Sequence, residues 1–201
     1  MVVSWPNHIV CSIKRCFSAN AMVPYLSIKN FLSGAGAALM LRELIDRRAE
    51  FRARGYNAAI RPSFYRMASP LAPTPEFLRC FERIAPMLEA RFGINLTARE
   101  IELLPQAYND GGAFAKHSDA AASGPNWQRR LSGIYYIHAH PKKFNGGHLA
   151  VYDRYGQMYI VEPDHNSAVF FSRDVPHEVL PVRCDSHAFE DSRFAVNVWI
   201  S

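Results

Sequence analysis

Along this chain apolar positions recur first at helical spacing and later at strand spacing. In "YLSIKNFLSGAGAALMLRELIDRRAEFRARG", Ser33 suits an N-cap, Ala37, Leu41 and Ile45 share a helical face, and Gly55 offers a stop. That pattern predicts a helix of roughly five turns. "TPEFLRCFERIAPMLEARFG", residues 74–93, repeats it with Thr74 as cap, Pro75 at the first helical position, Glu76 near the positive end and Gly93 as terminator; Pro86 is expected to kink or split it. From Ile101 the texture changes. "IELLPQAYND", "RRLSGIYYIHAH", "GHLAVYD", "QMYIVEP", "SAVFFS", "HEVLPVRC" and "RFAVNVWI" are short, β-branched and aromatic, and divided by Gly, Pro, Asn and Asp. Strands without intervening helices exclude a doubly wound parallel sheet and leave a sandwich, barrel or jelly roll.

The expected fold class is therefore α+β, a jelly-roll core over residues 101–201 buttressed by helices within residues 23–100, in one domain. Residues 1–22 read as a loose start that lacks a charged leader region, with Met22 as a working initiator. No apolar run is long enough to cross a bilayer as a helix. Cys11, Cys16, Cys80 and Cys184 match neither a zinc spacing nor a disulfide framework, so a reducing cytoplasm is the expected compartment. The net charge of +5 favours anionic ligands without demanding nucleic acid. Arg47, Arg48, Arg52 and Arg54 alternate with Glu43, Asp46 and Glu50, which reads as a solvated, self-paired face and not an RNA patch.

Candidate chemistry starts at "FAKHSD". In an extended segment His117 and Asp119 project from one face, so an imidazole nitrogen and a carboxylate oxygen can share an ion. His177 in "FFSRDVPHEVLPV" is the best-placed third ligand, opening a strand that a jelly roll can bring across the barrel mouth. Two His and one carboxylate leave adjacent positions open, which suits non-haem Fe(II) better than zinc. In "SRFAVNVWIS", alternation puts Arg193, Ala195, Asn197 and Trp199 on one strand face and Phe194, Val196, Val198 and Ile200 on the other. A guanidinium leading the first face into a cavity needs an anion, and a dicarboxylate reaching from iron to Arg193 meets that need.

Taken in order, "YNDGGAFAKHSD", "RRLSGIYYIHAHPKKFNGGHLAVYD", "FFSRDVPHEVLPV" and "SRFAVNVWI" resemble the successive motifs of the Fe(II)- and 2-oxoglutarate-dependent dioxygenases, in the prolyl 4-hydroxylase-like branch. That family's fold is a double-stranded β-helix. The resemblance implies His117, Asp119 and His177 as iron ligands, and Arg193 as partner of the distal 2-oxoglutarate carboxylate. It further implies that Tyr136 hydrogen-bonds the same carboxylate and that Tyr108 lines the cosubstrate pocket. Fe(II), 2-oxoglutarate and O2 follow as cofactor and cosubstrates, with ascorbate as an accessory reductant. The implied reaction hydroxylates a C–H bond of a peptidyl residue or free amino acid and releases succinate and CO2. Asp at position 119 favours hydroxylation over halogenation, and Trp199, six residues after Arg193, stands where nucleic-acid dealkylases carry a second arginine.

Other readings stay in view. A nucleic-acid demethylase and a non-catalytic jelly-roll binding module are the rival functions. His138, His140 and His148 form a lesser cupin-like alternative, while His165 and His187 read as exposed turn and loop residues. Tyr135 is expected in the core, Gly146 and Gly147 in a strand-entry turn, and "RCDSHAFEDS" as an inserted hairpin. For substrate, Trp127 in the loop 120–128 and Asp153 with Arg154 at a strand end are the candidate contacts.

Overall fold

The computed structural model describes residues 23–53, 64–72, 74–97, 99–120 and 129–201. In chain order these form β1 (Tyr25–Lys29), α1 (Gly34–Asp46), β2 (Phe51–Ala53), β3 (Phe64–Met67), α2 (Pro75–Phe92), β4 (Ile101–Tyr108), β5 (Phe114–His117), β6 (Leu131–Ile137), β7 (Asn145–Gly146), β8 (Leu149–Tyr152), β9 (Met158–Val161), β10 (Ser167–Ser172), β11 (His177–Val179), β12 (Val182–Arg183) and β13 (Arg193–Ile200). One sheet runs β1-β10-β6-β13-β4-β3-β2, a second runs β5-β11-β8-β9, and β12 pairs with β7. All paired strands are antiparallel, so the β-half is a jelly roll and the fold is α+β.

Alternation divides the apolar residues between two cores. Phe194, Val196, Val198 and Ile200 of β13, with Tyr135 of β6, pack against the buried faces of both helices. Ala195, Tyr136 and Ile134 face the other way, toward Leu149, Val151 and Val179 of the second sheet. The candidate site grows from this second, inner face. Asn166 fastens the first segment to the barrel: it takes up positive φ (54°), its side chain bonds the backbone N–H and C=O of Leu32 at 2.9 and 2.8 Å, and it accepts from the Tyr135 hydroxyl at 3.1 Å.

Both helices start where their caps predict. Ser33 accepts from the Gly36 N–H and Thr74 from the Phe77 N–H, and Gly93 closes α2 in the left-handed conformation. Pro86 does not split α2. It lies on the exposed face of the helix, and burying Phe77, Phe81, Ile84 and Leu88 on the other at about 1.5–3 kcal/mol each outweighs the ~3 kcal/mol an internal proline costs.

The first helix is shorter than its pattern predicts, ending at Asp46; Gly55 and Arg54 lie outside the described residues. Arg47 grips Glu50 through two bonds of 2.7 Å and Glu43 through a third of 3.0 Å. The chain then turns into β2, which buries Phe51 edge-to-face on Phe189 with centroids 5.1 Å apart. Burial of one aromatic ring thus overrides helical periodicity. The segment expected only to buttress the barrel also adds β1, β2 and β3 to its larger sheet. "RCDSHAFEDS" forms no hairpin: it is a turn and a short 3-10 helix over Phe189–Asp191, anchored by buried Phe189.

Candidate active site

His177 stands directly opposite His117 in the register of β11 and β5, which brings the imidazole centroids to 4.3 Å. They are neighbours on adjacent strands of the four-stranded sheet; the expected reach across the barrel mouth is not needed. Asp119 follows β5 by two residues, and its backbone N–H bonds the Arg173 carbonyl at 3.0 Å. One ligand atom from each of His117, Asp119 and His177 can be chosen so that all lie within 4.8 Å of one another, the one such group among the described residues.

The outer atoms of all three side chains are held by protein. Nδ1 of His117 lies 2.9 Å from the Ala115 carbonyl, and Nδ1 of His177 lies 3.0 Å from the Val175 carbonyl. A carbonyl can only accept, so each Nδ1 carries the proton and each Nε2 keeps a free lone pair. Burial lowers the pKa of His177 below the ordinary histidine range, which favours that neutral form. Asp119 Oδ2 accepts from the Ser132 hydroxyl at 2.6 Å and from Trp199 Nε1–H at 3.2 Å, while Oδ1 lies 3.9 Å from His117 Nε2. Two imidazole nitrogens and one carboxylate oxygen, each oriented from behind, form a donor set that fits a divalent iron.

Arg193 opens β13 and is 1% exposed. Its Nε donates to the Gly147 carbonyl at 2.6 Å, and its guanidinium lies 4.9 Å from the Tyr108 ring centroid and 5.0 Å from that of Tyr136. Nη1 and Nη2 of Arg193 and the Tyr136 hydroxyl are buried with no hydrogen-bond partner. The hydroxyl and guanidinium are near enough to feel each other's charge but fall short of bonding geometry. Burial pushes the Tyr136 phenol up to about 12, against the opposing pull of Arg193, so it stays a proton donor. Tyr108, whose phenol burial also raises, donates to Gln106 Oε1 at 2.8 Å.

Gly147 is the unforeseen part of this cradle. It sits at φ +66°, and a Cβ there would come within 2.6 Å of Arg193 Cδ and 2.8 Å of Val182 Cγ2. The turn expected merely to enter a strand is where the backbone meets the arginine and aims its fork.

Residues 103–201 match the sequence model of the 2OG-Fe(II) oxygenase superfamily. Those residues belong to that superfamily. An uncharacterized PKHD-type hydroxylase of Synechocystis sp. (strain PCC 6803) is 33% identical over 196 residues, 88% of this chain; the match spans 62% of that relative's length. Among solved structures, a Pseudomonas putida prolyl-4-hydroxylase matches at TM-score 0.63 and 20% identity, over 88% of this chain and 91% of the other. A Trichoplax adhaerens prolyl hydroxylase in complex with a hypoxia inducible factor peptide fragment matches at TM-score 0.60 and 18% identity, over 88% and 83%. These likenesses establish the double-stranded β-helix. The superfamily implies Fe(II), 2-oxoglutarate and O2, and the orphaned N–H groups of Arg193 with the Tyr136 hydroxyl suit a buried carboxylate.

The remaining predicted residues fall elsewhere. Asp153 uses its carboxylate within its own hairpin, accepting from the backbone N–H of Tyr155 and Gln157 at 2.9 Å and from the Tyr159 hydroxyl at 3.3 Å. Arg154 is exposed and bonded to the Tyr155 hydroxyl at 2.6 Å. Trp127 lies outside the described residues. In the cupin-like alternative, His148 is taken by Glu162 at 2.7 Å. His165 is in a turn but is not exposed: half-buried, it donates from Nδ1 to the His138 carbonyl at 2.7 Å, and its ring lies tilted against that of His140 with centroids 4.1 Å apart. Burial lowers the pKa of both His138 and His165.

Proposed function

We propose that this protein is an Fe(II)- and 2-oxoglutarate-dependent hydroxylase acting on an unactivated C–H bond of a peptidyl residue or free amino acid. Supported by their convergence, His117, Asp119 and His177 would hold the iron through two Nε2 atoms and one carboxylate oxygen. The observation that carries the reading is the trio of buried, unpartnered polar atoms, Nη1 and Nη2 of Arg193 and Oη of Tyr136. A buried guanidinium without a counter-ion is costly, so its presence argues for an anion that completes it. The distal carboxylate of 2-oxoglutarate would do so, held by the Arg193 fork and the Tyr136 hydroxyl. Bound in this cage, iron with 2-oxoglutarate and O2 supplies the oxidising power for hydroxyl transfer, with succinate and CO2 as co-products and ascorbate as accessory reductant.

This chain's residues bind and orient. Gly147 and the two tyrosine rings fix the arginine fork, the paired imidazoles keep Nε2 toward the metal, and Leu149, Val151, Phe171 and Val179 supply an apolar inner wall that limits water. No helix among the described residues is long and apolar enough to cross a membrane. Trp199, standing where a nucleic-acid dealkylase carries arginine, supports a peptide or small-molecule acceptor over nucleic acid.

Anaerobic titration with Fe(II) and 2-oxoglutarate tests the proposal. A visible charge-transfer band is expected in the wild type and lost in His177→Ala. A wild type without the band, or a variant that keeps it, would sink the assignment. Succinate release scanned over amino acids, peptides and methylated oligonucleotides then identifies the acceptor class.

A further inference from the structure

Asp119 presents two oxygens, and the protein treats them differently. Oδ2 takes a short bond from Ser132 and a second from the Trp199 indole, whereas Oδ1 is on the side of the imidazole pair. Ser132 and Trp199 are directly opposed in the register of β6 and β13, and both are buried, at 1% and 7% exposure. The indole is itself fixed: the Arg129 guanidinium stacks 3.5 Å from the ring centroid, and Arg129 pairs with Glu102 at 3.6 Å. Two donors on rigid central strands therefore grip one carboxylate oxygen from behind.

We infer that Ser132 and Trp199 are positioning residues that make Asp119 a one-oxygen ligand. The inference rests on reading His117, Asp119 and His177 as an iron site. Octahedral iron has six positions, and two imidazoles with a single carboxylate oxygen leave three open. A chelating 2-oxo acid would need two of these and dioxygen the last. Were Asp119 to chelate through both oxygens, only two positions would remain, and cosubstrate and dioxygen could not bind together. Oδ2, already accepting two hydrogen bonds, is a poor second donor, so the clamp preserves the third position. It also holds Oδ1 in place before any metal arrives, because both donors belong to the protein.

Co(II) binding by the full chain under anaerobic conditions tests this, since its visible d–d absorption reports coordination number. Ser132→Ala and Trp199→Phe are each expected to weaken Co(II) binding roughly 10- to 100-fold and to change the band shape. Ser132→Thr, which retains the hydroxyl, should restore both. Wild-type affinity and an unchanged spectrum in Ser132→Ala would overturn the inference while leaving the iron site intact. A wild type that binds no Co(II) and forms no charge-transfer band with Fe(II) and 2-oxoglutarate would remove the iron-site reading and this inference with it. If Trp199→Phe fails to fold, the Ser132 pair decides the matter alone.

Discussion

Replacing Arg193 with methionine should have effects of opposite sign with and without cosubstrate. Without 2-oxoglutarate, the wild type buries a guanidinium whose Nη1 and Nη2 have no partner, at a cost of several kcal/mol. Methionine of similar volume removes that cost and forfeits the bond from Nε to the Gly147 carbonyl and the guanidinium's contacts with the Tyr108 and Tyr136 rings, together about 2–5 kcal/mol. The two nearly cancel, so the variant's melting temperature should match or exceed the wild type's. With Mn(II) and 2-oxoglutarate the order reverses. Loss of one partner of a buried charge pair costs about 2 kcal/mol or more, which is at least ~30-fold in Kd. Cosubstrate at about a hundred times the wild-type Kd stabilises the wild type by ~2.7 kcal/mol and the variant by only ~0.9 kcal/mol. For a chain of this size that is a rise of about 5–11 °C against about 2–4 °C. Differential scanning fluorimetry with and without cosubstrate reads both arms. An equal cosubstrate-induced rise in the two proteins, or a variant whose melting temperature falls by more than about 5 °C without ligand, would refute the reasoning.

Two further outcomes follow from neighbouring geometry. Gly147→Ala forces a Cβ against Arg193 Cδ at positive φ, so it should cost about 1–3 kcal/mol of stability and weaken 2-oxoglutarate binding roughly fivefold or more, measured by denaturant melts and titration. At the other end of β6, burial holds the pKa of His138 below its ordinary value, with His165, His140 and Lys142 adding to the effect. The folded state thus takes up this proton less readily than the unfolded chain, so stability is full above about pH 6.5 and declines as pH falls below it. His138→Gln should flatten the loss of melting temperature between pH 7 and 5; an unchanged slope would show that His138 does not carry it.

Local physics was readable directly from the residues. Ser33, Thr74 and Gly93 mark helix ends because capping needs only the residue itself and its nearest neighbours. The alternation in "RFAVNVWI" separates Phe194, Val196, Val198 and Ile200 from Arg193, Ala195 and Trp199, because a strand's two faces are set by its period of two. The same logic made His117 and Asp119 a pair worth testing and put Tyr135 and Tyr136 in different cores. A helix pattern through Glu50 gave no warning that Phe51 would leave it, since the reward for leaving is a contact with Phe189, far along the chain.

What the sequence by itself determined, then, were periods, caps and residue types, which depend on forces acting over a few bonds. Only the tertiary structure decided which strands meet: that β5 lies beside β11 so His177 faces His117, that Ser132 and Trp199 close on one oxygen of Asp119, and that the Gly147 carbonyl aims Arg193. It also turned Asp153 inward to its own hairpin and gathered His165 with His138 and His140. The physical reason is common to all of these. Strand register and cross-sheet burial are settled by the chain as a whole, through hydrogen bonds and packing between segments whose distance in sequence carries no signal of their nearness in space.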